Sequence, residues 1–180
     1  MIRFSEHNPE VLYAIDPIVQ VDRADIEAMV ARAEQNPRRR IRLCTHRDTR
    51  DPLHEMLIVH TRDTYVRPHK HVVKSEAFHI ISGAVDVVLF DDVGKILAFV
   101  PMGDYASGRK FYYRLADSLY HTLLIHSDRI IFHEVTNGPF NRGDTLFAPW
   151  SPEIDDVDAA REFMKKLSDK VGHSVARGPQ

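Results

Sequence analysis

The sequence predicts an all-β barrel or sandwich flanked by a helix at each end. Between residues 38 and 150, short runs of β-branched and aromatic residues alternate with turn residues, and no helical periodicity interrupts them. Helical spacing occurs only before and after that zone. With 180 residues, 43% of them apolar and 28% charged, the chain suits one domain with a substantial core.

Residues 1–21 read as an arm with a short strand at Val11–Ile15. A helix is expected over Arg23–Gln35, with Asp22 as N-cap and an apolar face of Ile26, Met29, Val30 and Ala33. Asn36-Pro37 ends it, because a residue before proline is pushed out of the helical region. Strands are expected at Leu53–His60, Thr64–Arg67, Ala77–Ser82, Val85–Phe90, Ile96–Val100, Phe111–Leu115, Thr122–His126 and Ile130–Val135. Asp91-Asp92-Val93-Gly94 reads as a hairpin loop, and Gly83 and Asn137-Gly138 mark other reversals. Val157, Ala160, Met164, Leu167 and Val171 predict a helix over Asp156–Lys170, with Gly172–Gln180 as a frayed tail. The expected organisation is an arm and helix over 1–37, a barrel over 38–153, and a helix and tail over 154–180.

Charge excludes several classes. Against 26 Asp and Glu stand 24 Lys and Arg, a formal net charge of -2, which does not suit a generally basic nucleic-acid binder. No apolar run approaches the roughly 18 residues of a membrane span, and the first twenty residues hold no signal-peptide block. Cys44 is the single cysteine, which excludes an intramolecular disulfide framework and suits a reducing compartment. The expectation is a cytoplasmic protein with neither nucleic acid nor membrane as partner.

The chemistry concentrates in Tyr65-Val66-Arg67-Pro68-His69-Lys70-His71, with Glu76 and Gly83 downstream. Two imidazoles two residues apart on a strand point the same way and can hold one ion. Glu76 begins the next strand in parity with Phe78 and Ile80, which puts a carboxylate on the inner face. His121 opens a later strand and is the candidate fourth ligand. Three neutral imidazoles and a carboxylate suit one divalent transition metal, namely zinc, iron, manganese or nickel. Tyr65 and Arg67 share the parity of His69 and His71 and are expected to face the cavity. There Arg67 can hold a carboxylate or phosphate, or else bridge to Glu134. Lys74, on the turn before Glu76, is a further anion-binding candidate.

These residues carry a resemblance. His69-x-His71-x4-Glu76-x6-Gly83 resembles the first metal motif of the cupin superfamily, and Ala116-Asp117-Ser118-Leu119-Tyr120-His121 resembles the second, with Ala116 and Ser118 in place of proline and glycine. Asp63 stands where the first motif usually begins with glycine. Arg67–His71, Lys74, Glu76, Val88–Gly94, Tyr120–Leu123, Glu134-Val135, Gly138–Phe140, Asp144 and Phe147–Glu153 are similar to the WbuC group of cupin-fold metalloproteins. Val72 and Ser75 depart from that group. The resemblance spans about Arg38 to Glu153 and implies a double-stranded β-helix barrel, one metal site, and a setting in surface-polysaccharide metabolism.

Among other residues, Tyr112 and Tyr113 must face opposite ways, so at most one looks inward. Trp150 is expected to plug the barrel. His79 and His126 are expected to point away from the cavity, and His54 and His60 to lie on a strand face that packs in a dimer. The leading expectation is a metal-binding cupin acting on or binding a small polar molecule, such as a sugar or sugar nucleotide. The alternatives are a non-catalytic ligand-binding or sensor cupin, and a metal-free sugar epimerase. By fold analogy the chain forms a homodimer.

Overall fold

A computed structural model describes residues 2–176. In chain order the elements are β1 (Phe4–Asn8), β2 (Val11–Ala14), α1 (Arg23–Gln35), β3 (Arg40–Cys44), β4 (Leu53–Thr61), β5 (His69–His71), β6 (Glu76–Ser82), β7 (Ala84–Phe90), β8 (Ile96–Gly103), β9 (Tyr112–Leu115), β10 (Tyr120–Ile125), β11 (Arg129–Asn137), β12 (Thr145–Phe147) and α2 (Val157–Ala176). They form a seven-stranded sheet in the order β1-β2-β3-β4-β11-β6-β9, and a five-stranded sheet in the order β12-β5-β10-β7-β8. From β4 onward the chain passes back and forth between the sheets, with the β7–β8 hairpin as the exception. Pairing is antiparallel apart from β2 with β3. This is the expected all-β, two-sheet barrel with a flanking helix on each outer face.

Turn chemistry sets the reversals. The β7–β8 hairpin closes on Asp91, whose Oδ1 accepts the Val93 and Lys95 N–H groups, and Gly94 there takes a φ of +85°. Gly83, between β6 and β7, has a φ of +99°, and a Cβ there would lie 2.4 Å from the Arg129 carbonyl oxygen. Only glycine meets both demands.

Period-two alternation then builds the core between the sheets. Met56, Ile58, Phe78, Ile80, Ile130 and Phe132 face Val85, Val87, Met102, Leu123 and Ile125. Each buried side chain of this size contributes roughly 1.5–3 kcal/mol of transfer free energy. Cys44 belongs to the same layer. On the outer face of the larger sheet, Met29, Val30 and Ala33 of α1 cover Leu12, Ile41, Leu43 and Val59. Asp22 caps the helix as expected from sequence; Asp25 completes a capping box with it and also accepts the Ile2 N–H at 2.7 Å. On the outer face of the smaller sheet, Leu167 and Val171 of α2 cover Val88, Phe90 and Leu124. Trp150 fills the gap there against Phe90, Tyr120 and Phe163, and its indole N–H donates to the Asp92 carbonyl at 3.2 Å.

The structure corrects several expectations. Thr64–Arg67 is not a strand; the ladder forms two residues later, at β5. In the arm the expected strand forms as β2, and what was not expected is its hairpin partner β1 and its parallel pairing with β3. β3 and β12 arise where no strand was expected, because Arg40 and Arg42 interrupt one apolar pattern and the other is only three residues long. Helix α2 continues through Gly172 to Ala176, so the expected fray does not begin at Gly172; residues 177–180 of that tail lie outside the described residues. His54 and His60 do not form an outer face. They alternate with Leu53, Glu55 and Leu57, share the inward parity of Met56 and Ile58, and are buried.

His60 carries a stability consequence. It packs edge-on to Phe132, its Nδ1 has no hydrogen-bond partner, and burial, then the charges of Arg40 and Arg42, lowers its pKa from 6.5 to about 3. The unfolded chain takes up this proton near pH 6.5 and the folded chain only near 3, so the native state loses stability as pH falls through that interval. His60→Leu is expected to flatten the fall in melting temperature of the metal-free protein between pH 6.5 and 4 (about the lower limit of practical measurement). Thermal denaturation across that range checks it, and a slope equal to wild type contradicts it.

Candidate metal centre

Two strands of the smaller sheet and one of the larger bring four side chains together. His69 and His71 leave β5 on one face, and His121 of β10 is the cross-strand partner of His69. Their ring centroids are 4.4–5.7 Å apart. Glu76 arrives from β6 across the barrel, with Oε1 3.0 Å from His121 Nε2 and Oε2 3.3 Å from His71 Nε2. One ligand atom from each residue lies within 4.8 Å of all the others. Atoms about 2.1 Å from a common ion sit at this order of separation.

Glu76 and His121 form the buried floor, whereas His69 and His71 are half-buried at the mouth. Despite their proximity, Glu76 Oε1 and His121 Nε2 make no properly directed hydrogen bond and are sealed from solvent. Two buried ligand atoms that face each other and no third polar group suit a metal-ligand pair.

The Nδ1 atoms reinforce this. His69 Nδ1 lies 2.9 Å from the Arg67 carbonyl, and His121 Nδ1 lies 3.1 Å from the Leu119 carbonyl. Each imidazole thus donates to the backbone two residues upstream, which leaves the Nε2 lone pair free for a cation. His71 Nδ1 instead meets Thr145 Oγ1 of β12 at 3.2 Å. Burial lowers the His69 pKa to about 3, so this ring is a neutral ligand at ordinary pH. Burial opposes ionisation of Glu76, but the adjacent His121, whose own pKa Glu76 raises, prevails and holds the carboxyl well below its usual range; a bound cation takes the place of that His121 proton.

Two acids line the same wall. Glu134 pairs with Phe78 and Thr136 with Glu76, so Glu134 is a diagonal neighbour of Glu76 on the inner face. Burial, then the Glu76 charge, raises the Glu134 pKa. Tyr113 is the inward member of the tyrosine pair, while Tyr112 is exposed. The Tyr113 hydroxyl is buried without a partner, and burial, then Glu76, raises its pKa.

The three ligand-binding candidates at the mouth are all engaged. The Tyr65 hydroxyl donates to the Pro152 carbonyl at 3.0 Å. Arg67 donates to Ser151 Oγ at 3.2 Å and pairs with Glu153, not with Glu134. Lys74 Nζ donates to the Pro139 carbonyl at 2.6 Å and lies 3.4 Å from Asp144. His79 is exposed on the outer face, and His126 pairs with Asp86 at 2.9 Å. The sequence reading missed Thr145, because a three-residue strand that close to a proline-rich segment has no periodicity to reveal it.

The fold and cluster define a class: an all-β, two-sheet barrel with a three-histidine, one-carboxylate site. A family model described as Domain of unknown function (DUF6016) matches residues 21–102. No curated protein matches the chain. Among solved structures, protein SO0799 from Shewanella oneidensis is similar with a TM-score of 0.50 at 10% identity, over 59% of this chain and 72% of that one. CapF, a capsular polysaccharide assembling protein from Staphylococcus aureus, gives 0.45 at 15% identity over 54% of this chain and 27% of that one. A Bacillus subtilis oxalate decarboxylase gives 0.43 at 17%, over 54% and 24%. The present chain therefore spans about a quarter of these last two proteins. The likeness to the Shewanella protein is one of fold.

Thr145 tests the role of the outer hydrogen bond. Thr145→Val is expected to weaken divalent-metal affinity by about tenfold, the low end of what loss of such a partner costs. Competition against a chelating indicator measures it, and unchanged affinity excludes Thr145 from tuning the site.

Proposed function

We propose that this chain binds one divalent transition metal through His69, His71, Glu76 and His121 and acts on a small polar molecule held at that ion. The observation that carries the reading is the convergence of four ligand atoms within 4.8 Å of one another, with Glu76 Oε1 and His121 Nε2 sealed from solvent and hydrogen-bonded to no third group. With four protein ligands, an octahedral ion keeps about two positions for water or ligand. Bound there, it supplies Lewis acidity.

The residues of the wall favour turnover over simple storage. Tyr113 and Glu134, both pushed toward their protonated forms, flank Glu76 on the inner face. Of the two, Glu134 is the one suited to general acid–base work, because its raised pKa moves toward neutral pH, whereas Tyr113 stays protonated and can donate a hydrogen bond. The finer reading, a sugar or sugar nucleotide in surface-polysaccharide metabolism, rests on the WbuC-like motifs. We infer that the chain works as a homodimer in the cytoplasm, in keeping with the fold analogy and with its cysteine usage. No helix among the described residues is long and apolar enough to cross a membrane.

Elemental analysis after purification without added metal is expected to find close to one equivalent of a single transition metal per chain. His71→Ala is expected to lose stoichiometric metal while keeping the β-sheet circular dichroism, because a half-buried mouth residue contributes little to the core. Full occupancy in that variant rejects the ligand assignment.

A further inference from the structure

Among the described residues, the two cations expected at the mouth of the metal pocket are not free. Arg67 and Lys74 are both tied to neighbouring loops. What the mouth presents instead is an aromatic ring. Phe147 of β12 is the cross-strand partner of His69 in β5, just as Thr145 is the partner of His71. Directly opposed residues on paired strands share a face. The Thr145–His71 contact at 3.2 Å places that shared face on the metal side, and the Phe147 and His69 ring centroids are 6.2 Å apart. Phe147 nonetheless stays 53% exposed.

Arg67 braces one face of the ring. The Arg67 guanidinium lies over the ring at 5.0 Å from its centroid, and Arg67 is itself anchored by Ser151 and Glu153. A cation over an aromatic face is attracted by the ring's negative quadrupole. Exposure alone says little, since other large apolar residues of the chain are also exposed, but an aromatic ring placed beside a polar binding centre is the usual lining of a small-molecule pocket.

We propose that Phe147, braced by Arg67, is a ring-stacking wall of the metal pocket, so that the ligand is a small molecule joining a metal-chelating oxygen head to a flat aromatic ring. This rests on the metal reading above and narrows its ligand class. Arg67 acts here by positioning Phe147 and not by gripping an anion.

Two hydroxamates separate the claims, since both chelate a divalent ion and only one carries a phenyl ring. The full chain, loaded with one equivalent of Co2+, is titrated by calorimetry with acetohydroxamate and with benzohydroxamate. Wild type is expected to bind the phenyl compound about tenfold more tightly, as stacking plus ring burial would give. Phe147→Ala is expected to bring the ratio to within about twofold while leaving acetohydroxamate affinity unchanged, and Phe147→Tyr to restore the preference. Arg67→Ala should lower the ratio without changing acetohydroxamate affinity.

Equal affinities in wild type, or a preference that survives in Phe147→Ala, overturns the ring-wall inference while leaving the metal site standing. Should Phe147→Ala instead shift the mass in solution with no ring preference in wild type, the exposed ring is an interface between copies and the inference is overturned. Failure to take up Co2+ overturns the metal reading itself.

Discussion

A carboxylate sealed inside a β barrel is costly unless cationic or hydrogen-bonding groups surround it. Glu76 is 3% exposed, on the inner face of one sheet, and the imidazoles of His71 and His121 that face it come from the other. Satisfying this group requires both sheets to be closed, the register of β5 against β10 to be correct, and the β6 alternation to be in phase. A slip of one residue in β6 would turn Glu76 outward and bring Ala77 in. The candidate centre and the barrel are therefore a single construction.

The segment after β11 closes that construction. β12 adds to β5 as an edge strand and delivers Thr145 to His71. The chain then returns to the barrel through the Ala148 N–H, which donates to the Pro68 carbonyl, and through Trp150 and Ser151. Arg67, Tyr65 and Trp150 are locked by this segment, which accounts for side chains of correct strand parity serving the scaffold at the mouth. The polar residues expected to greet a ligand were recruited to hold the wall, and an aromatic ring was left open beside the imidazoles.

Much of this was legible in the sequence. The α1 bounds and its Asp22 cap followed from an apolar stripe and an N-cap residue, both local. His69, His71 and Glu76 followed from alternation along short strands, and Trp150 from its place after a proline. The misreadings share a cause: Thr64–Arg67 looks like a strand in composition yet finds no ladder partner, and β12 looks like a loop yet finds one in β5. Strand identity depends on a neighbour distant in the chain, so propensity alone judges it poorly. His54 and His60 failed for a related reason, since parity states that two residues share a face but not which face is buried.

By itself the sequence determined the class of the fold, the two flanking helices, and the residue types able to hold a cation, because these depend on periodicity and side-chain chemistry within a few residues. Only the tertiary structure decided that His121 meets His69, that Thr145 orients His71, that Arg67 turns to Glu153, and that Phe147 stands open at the mouth. Each of those outcomes rests on pairing across strands far apart in the chain, and such pairing is set by whole-barrel closure.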